Sequence, residues 1–199
     1  MRHNKFFAII TCVNMFLICF CGSHQKQEKA EQIKSTQDKT INIDTAKSKT
    51  VQSADTAFSL MKSESIGPAK IGLTGDSLIK NFGRPDSMGP IQMSQASGSY
   101  IQNWVYNKIG IKFEMESHDS LGPKRVSSIE VVSPCTLSTK KGIKIGSGLD
   151  EVKKEYGEYQ DKENSDEKSS FVAGSIYGGM IFSIEAGKVN KIFIGASAE

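Results

Sequence analysis

Residues 70–83 have the sequence KIGLTGDSLIKNFG, and residues 144–157 have the closely similar sequence KIGSGLDEVKKEYG. Each segment combines a short apolar stretch, a glycine and a helical pattern whose apolar residues recur at spacings of three and four. Thr74 or Ser147 is expected to cap the helix N-terminus, and Gly83 or Gly157 to end the helix in a left-handed conformation. The two segments predict a tandem repeat.

A second correspondence follows each helical pattern. The sequence GIKF at residues 110–113 matches GMIF at residues 179–182, and VSSIEV at 126–131 matches VNKIFI at 189–194. The spacing between matched segments differs between the halves, which places the insertions in loops, where they are tolerated. The sequence therefore predicts an α+β fold of two tandem repeats, at residues 57–135 and 136–199, each a short helix packed on a small antiparallel sheet.

The N-terminus has the pattern of an export signal. Basic residues precede an apolar run over residues 6–20, which is short for a membrane-spanning helix, since that needs about 20 residues. The run ends at Cys19 and Cys21, and a polar sequence follows. This order resembles a bacterial lipoprotein signal over residues 1–21, with Cys21 as the lipidated residue, although Phe20 stands where such signals usually carry a small residue. Cys19 is the alternative acceptor, and a signal that is cut to release the protein or kept as a poor anchor is the other alternative.

The next segment, residues 22–56, is rich in Lys, Gln, Glu, Ser and Thr and has neither proline nor an aromatic residue. Such a composition cannot bury enough apolar surface to fold, so we expect a disordered polar tether. Across the chain 25 Lys and Arg residues nearly balance 22 Asp and Glu residues. Because the basic residues are dispersed among acids, nucleic acid is not an expected partner.

The sequence holds no recognisable catalytic constellation. His118 is the one histidine of the folded part, and its neighbours Asp119 and Ser120 cannot form a relay, because a triad needs residues that converge from separate elements. The acidic stretch 161–168 lacks the ligand spacing of a calcium loop, and the glycine motifs are not those of nucleotide-binding loops. Cys135 is interpreted as a small apolar residue. We therefore expect no catalytic residue, metal or cofactor.

One strand pattern carries an aromatic face. Tyr100, Trp104 and Tyr106 share a face of the strand over residues 100–106, while Ile101 and Val105 lie on the other. Tyr and Trp dominate binding hot spots, which makes these three residues candidates for an exposed binding patch. The alternative is that they form a second layer of the core.

The repeat motifs resemble those of small bacterial envelope lipoproteins. The segment Gly-Ile-Lys-Ile-Gly, the helix ending in Tyr-Gly and the turn Glu-x-Gly-Lys-Val over residues 142–189 are similar to the αβ repeats of the SmpA/OmlA outer-membrane lipoprotein type. Gly72, Gly83 and Pro85 match that family's Gly, helix, Gly-x-Pro pattern. The β-lactamase-inhibitor-protein fold, a tandem of two such repeats, is also similar. The resemblance covers residues 66–199, and neither an inhibitory residue nor a disulfide carries over.

Together these patterns predict a non-catalytic envelope lipoprotein that acts as a protein-interaction module. It would be lipid-anchored at the outer membrane and would bind another envelope protein. The alternative is a small-ligand-binding protein or hydrolase with a site between the two repeats.

Overall fold

The computed structural model describes residues 58–166 and 168–197. The signal at residues 1–21, including Cys19 and Cys21, and the polar segment 22–56 therefore lie outside the described residues. Within the described part of the chain, no helix has the length and apolar character needed to span a membrane.

The described chain is a mixed helical and antiparallel-sheet fold that is mostly sheet, which confirms the α+β class. Its helices are α1 (residues 58–63), α2 (Gly75–Phe82) and α3 (Leu149–Tyr156). The eight strands form one antiparallel sheet in the order β1-β3-β4-β5-β8-β7-β6, and β2 also pairs with β3. The strands are β1 (Ser87–Met88), β2 (Gln92–Met93), β3 (Tyr100–Tyr106), β4 (Ile111–Ser117), β5 (Arg125–Val132), β6 (Ser170–Ala173), β7 (Gly179–Glu185) and β8 (Lys188–Gly195).

The core lies between one face of this sheet and the helices. In β4 every second residue is buried, because successive side chains of a strand point to opposite faces. Phe82 of α2 packs on Phe113, with ring centroids 5.7 Å apart, and Tyr156 of α3 packs on Phe182 at 5.1 Å. Each helix thus buries its apolar stripe on the same side of the sheet, under a different set of strands.

The helix ends differ from the sequence-based expectation at α3. Thr74 does cap α2, since its Oγ1 accepts the Ser77 N–H at 3.3 Å. In α3 the N-cap is Gly148 rather than Ser147, and the Glu151 carboxylate accepts the Gly148 N–H at 2.9 Å. Ser147 instead accepts the Lys144 N–H through its hydroxyl. The capping role therefore moves one residue along the chain.

Gly83 and Gly157 end their helices in different ways. Gly83 has φ 78° and ψ −169°, so its φ is positive, which favours glycine, but its ψ lies outside the left-handed helical region that the sequence predicted. Gly157 has φ −59° and ψ −31°, so the expected left-handed conformation there is wrong, and a short 3₁₀ turn continues to Tyr159. A lysine side chain serves this helix end: Lys141 Nζ donates to the Glu155 carbonyl at 2.7 Å and lies 4.7 Å from the Tyr159 ring centroid. The Lys141 ammonium group thus donates to a carbonyl at the helix C-terminus. In a helix that ends in a left-handed glycine, a backbone N–H would donate to such a carbonyl instead.

The segment that enters the domain is held by a buried carboxylate. Glu64 follows α1 and is buried, and its Oε2 accepts the Lys140 N–H at 3.2 Å. Burial raises the pKa of the Tyr156 hydroxyl, and the nearby Glu64 charge adds to the rise. The hydrogen bond between Glu64 and the Lys140 N–H fixes the start of the domain to the loop that precedes α3.

Candidate interaction surface

The three aromatic residues of β3 lie on the helix side of the sheet. Trp104 and Tyr106 are only 6% and 3% exposed. A Cβ atom on Gly75 of α2 would lie 2.9 Å from the Trp104 ring, so the helix sits directly on the indole. The Tyr106 hydroxyl donates to the Gly83 carbonyl at 3.1 Å, where α2 ends. The prediction that Trp104 and Tyr106 form an exposed binding patch is therefore wrong, because α2 covers both residues. They belong to the core, which was the alternative.

Tyr100 lies at the other end of β3 and is half-buried. Its partner across the sheet edge is Met93 of β2, and its partner in β4 is Ser117. The three residues that the sequence grouped as one site are therefore divided: two belong to the core, and Tyr100 stands near its margin.

The opposite face of the sheet has no helix packed on it among the described residues. One row of side chains crosses this face through successive strand pairs, from β3 through β4, β5 and β8 to β7. These members are half-buried, whereas Val172 of β6, which pairs with Ile181 at the end of the row, is buried. We call this row the open face, and its residues are Val105, Lys112, Glu130, Phe193 and Ile181.

Charged side chains occupy the centre of the open face. Lys112 Nζ lies 2.8 Å from one carboxylate oxygen of Glu130, and Lys191 Nζ lies 4.0 Å from the other. Glu130 is on β5 and Lys191 is on β8, so the group bridges the two strands that join the first and second halves of the sheet. Ion pairs of this kind, which are partly exposed, contribute little to folding stability.

Phe193 has room to lie along the face because a glycine follows it on the same side of β8. A Cβ atom on Gly195 would come 3.1 Å from the Phe193 ring and 2.7 Å from Ser128 Cβ. The absence of a side chain at Gly195 therefore lets the ring pack against backbone. Together with Ile181, Phe193 makes one flank of the open face apolar, and Val105 makes the other flank apolar.

The remaining candidate residues do not gather into a site. His118 is exposed in the turn after β4 and lines a shallow cavity with Glu116, Asp119 and Arg125. Cys135 is buried, and burial raises the pKa of its thiol. Over residues 58–166 and 168–197, no group of three or more His, Cys, Asp or Glu side chains is placed to hold a metal ion.

The junction between the halves is a continuous strand pairing. β5 and β8 pair from Ile129↔Ile194 to Val132↔Lys191. Another shallow cavity lies between α3 and the loop that precedes it, where Lys141, Glu151 and Glu155 line it. That cavity and the one beside His118 each belong to a single half, so neither is the inter-repeat site that the sequence offered as an alternative.

Comparisons of the chain with protein-family models, with curated proteins and with solved structures find no match. The resemblance to the SmpA/OmlA lipoprotein type and to the β-lactamase-inhibitor-protein fold thus stays a prediction.

Sequence reasoning missed the residues of the open face. Phe193 and Ile181 alternate with buried residues along β8 and β7, and this alternation was visible in the sequence. It could not have shown which of the two sheet faces the helices cover.

Proposed function

We propose that this chain is a non-catalytic bacterial envelope lipoprotein, built of two tandem αβ repeats, that binds another envelope protein through the open face. The observation that carries the proposal is the open face itself, a surface with apolar flanks and a charged centre. Protein interfaces combine such apolar contacts, which supply affinity, with charges, which select and orient the partner.

Equivalent hydrogen bonds in the two halves support the tandem repeat. The Gly72 N–H donates to the Val126 carbonyl at 2.8 Å, and the Gly146 N–H donates to the Val189 carbonyl at 2.8 Å. Both glycines have positive φ, 81° and 89°. The reciprocal bonds also correspond, from Val126 N–H to Leu73 O at 2.9 Å and from Val189 N–H to Ser147 O at 2.8 Å.

The strand irregularities correspond as well. The pairing of β4 with β5 shifts register between Glu114 and Met115, and the pairing of β7 with β8 shifts between Ser183 and Ile184. Both shifts begin one residue after a fully buried phenylalanine, Phe113 or Phe182. A shared bulge position is a specific feature of a sheet, which makes independent origin of the two halves a poor explanation.

The envelope address in the proposal rests on the N-terminal sequence. We expect the mature protein to begin at Cys21 and to carry a lipid on that residue, because a basic-apolar-Cys order precedes a polar segment. Mass spectrometry of the N-terminal peptide from membrane-extracted protein measures this directly. An unmodified N-terminus downstream of Cys21 would refute the lipid anchor, and a lipid on Cys19 would move the site.

The binding role is tested by Phe193→Ser in the full-length chain. We expect partner capture from solubilised envelopes to fall about tenfold or more, because truncating an aromatic contact of an interface costs roughly 2 kcal/mol of binding energy. The matched control is Tyr177→Ser, since Tyr177 is an exposed aromatic residue in the loop between β6 and β7.

Thermal melts of both variants accompany the capture experiment. The proposal requires that Phe193→Ser keep a melt close to that of the unmodified protein while capture is lost. Equal capture by the two variants would remove the open face as the binding surface.

A further inference from the structure

The two most exposed large apolar side chains of the described residues lie at the same end of the sheet. Leu121 is 91% exposed and Tyr177 is 60% exposed. Leu121 is in the turn between β4 and β5, and Tyr177 is in the loop between β6 and β7. Both connections are at the end of the sheet where β8 finishes, because β5 and β7 start beside the last residues of β8. One end of the sheet therefore presents two apolar side chains to its surroundings.

The chain enters the domain at this same end. Phe58 is the first described residue and begins α1, and its side chain is 44% exposed. The ring lies on the loop between β6 and β7, since a Cβ atom on Gly178 would come 2.9 Å from Phe58 Cε1. Tyr177 precedes Gly178 in that loop, so the two aromatic residues are neighbours. We call Phe58, Leu121 and Tyr177 the apolar tips.

Hydrogen bonds hold the loops that carry the apolar tips. The Ser197 N–H donates to the Ile176 carbonyl at 2.8 Å, next to Tyr177 in sequence. In the other loop, the Lys124 carbonyl accepts the Gly75 N–H at 2.9 Å, which ties this loop to α2. A contact made by the apolar tips therefore requires little further ordering of the backbone.

The charges around the apolar tips are few and of both signs. α1 carries Lys62, and the turn after β4 carries His118, Asp119 and Lys124. The loop over residues 174–178 has the sequence GSIYG and contains no charged residue. Apolar side chains with scattered lysines suit the boundary between lipid headgroups and acyl chains, where aromatic rings are enriched and lysine keeps its ammonium group in water.

The chain that precedes Phe58 indicates what faces this end of the domain. A lipid on Cys21, as proposed above, holds that chain at a membrane. As the flexible coil that the sequence predicts, residues 22–57 would span roughly 30–36 Å. A tether of this length keeps the lipid surface at a high effective concentration, so a contact that is too weak for free protein is still formed.

We infer that the apolar tips insert into the interfacial region of the bilayer that holds the N-terminal anchor, so that this end of the domain faces the membrane. Apolar side chains gain free energy at that level without recognising a particular lipid. The inference rests on the lipid anchor of the proposed function. The open face lies on the broad side of the sheet, so it stays accessible to a partner in this orientation. Solubilised envelopes contain no bilayer, so Tyr177→Ser is still expected to be neutral in the capture experiment.

The experiment uses the full-length, lipidated protein in phosphatidylcholine vesicles, with Cys135→Ala so that a fluorescent probe labels one position. A probe on Ser120→Cys, an exposed position beside Leu121, is expected to be quenched about twofold or more by lipids with a nitroxide near the headgroup, because interfacial side chains lie roughly 5–10 Å into that boundary. Adding Leu121→Ser/Tyr177→Ser is expected to abolish the quenching. The control is a probe on Lys108→Cys, in the turn between β3 and β4 at the opposite end of the sheet, which is expected to stay unquenched.

Flotation of the vesicles in a density gradient reports the anchor separately. Protein that floats while the probe on Ser120→Cys stays unquenched would overturn the inference and leave the anchor in place. Protein that does not float would overturn the anchor, and the inference with it. Equal quenching of the two probes, or quenching that survives loss of Leu121 and Tyr177, would also overturn the inference. A probe on Ser120→Cys that is shielded from aqueous iodide but not quenched by lipid would show that protein, such as a second copy, covers the apolar tips instead.

Discussion

Trp104→Ala is expected to lower the free energy of unfolding by about 3–5 kcal/mol, the cost of truncating a large aromatic side chain in a packed core. The indole lies beneath α2, close enough that Gly75 has no space for a side chain. Its Nε1 donates to Gln102 Oε1 at 3.0 Å, so the truncation also removes the hydrogen-bond donor to the Gln102 side-chain oxygen. Chemical denaturation followed by far-UV circular dichroism measures the change. Tryptophan fluorescence cannot be used, because Trp104 is the single tryptophan of the chain and the variant lacks it.

The neighbouring residue provides the control for this prediction. Asn103 is exposed on the other face of the same strand, and Asn103→Ala is expected to change stability by no more than about 0.5 kcal/mol. Similar denaturation midpoints for the two variants would contradict the burial of Trp104. Loss of partner capture by Trp104→Ala with an unchanged midpoint would return this residue to the binding surface.

The strands and helices were predictable because their local patterns are regular. The helical spacing in residues 70–83 and 144–157 matches α2 and α3, and the alternation around Phe113 and Phe182 matches β4 and β7. These patterns need only nearby residues, and each repeats a period set by backbone geometry. The order of strands in the sheet is different, because the pairing of β5 with β8 joins residues far apart in sequence and leaves no local signal.

The candidate site was less predictable, for a reason that the aromatic strand makes clear. Alternation separates Trp104 from Val105 in β3, but both faces of the strand carry apolar residues. Which face is buried depends on where α2 packs, and that is a tertiary choice. The interpretation of these residues as an exposed aromatic patch relied on residue type. The core alternative holds because Gly75, which has no side chain, lets the helix approach.

A similar limit applies to the end of α3. Gly157 follows the last apolar residue of its helix, as Gly83 does, and a left-handed cap was the natural prediction. The structure ends α3 through the Lys141 side chain, which reaches the Glu155 carbonyl. Lys141 precedes the helix in sequence. A prediction of the helix end that used only the helix residues and Gly157 could therefore not have found the contact of Lys141 with Glu155.

Gly110→Ala and Gly179→Ala are each expected to destabilise the protein by about 3 kcal/mol or more, and to prevent accumulation of folded protein in the more severe case. A Cβ atom on Gly110 would overlap the Val132 carbonyl oxygen and lie 2.9 Å from Cys135 N, and φ there is 66°. A Cβ atom on Gly179 would overlap the Ala173 carbonyl oxygen and lie 2.7 Å from Ser175 N. Backbone atoms cannot rotate away as a side chain can, so the strand itself must move.

Gly157→Ala is the matched control, because Gly157 has helical φ and ψ and nothing within 4 Å of the position of its Cβ. It is expected to be neutral or to stabilise by about 0.5 kcal/mol, since alanine reduces the entropy of the unfolded chain. Denaturation midpoints of the three variants measure the contrast. Gly110 and Gly179 occupy matching places in the proposed repeats, each at the start of the strand that carries the buried phenylalanine. Large and similar losses of stability at both glycines would support the descent of the two halves from one ancestral unit in which two backbone segments approach closely at that glycine. A loss at only one glycine would show that the two halves differ at this close approach.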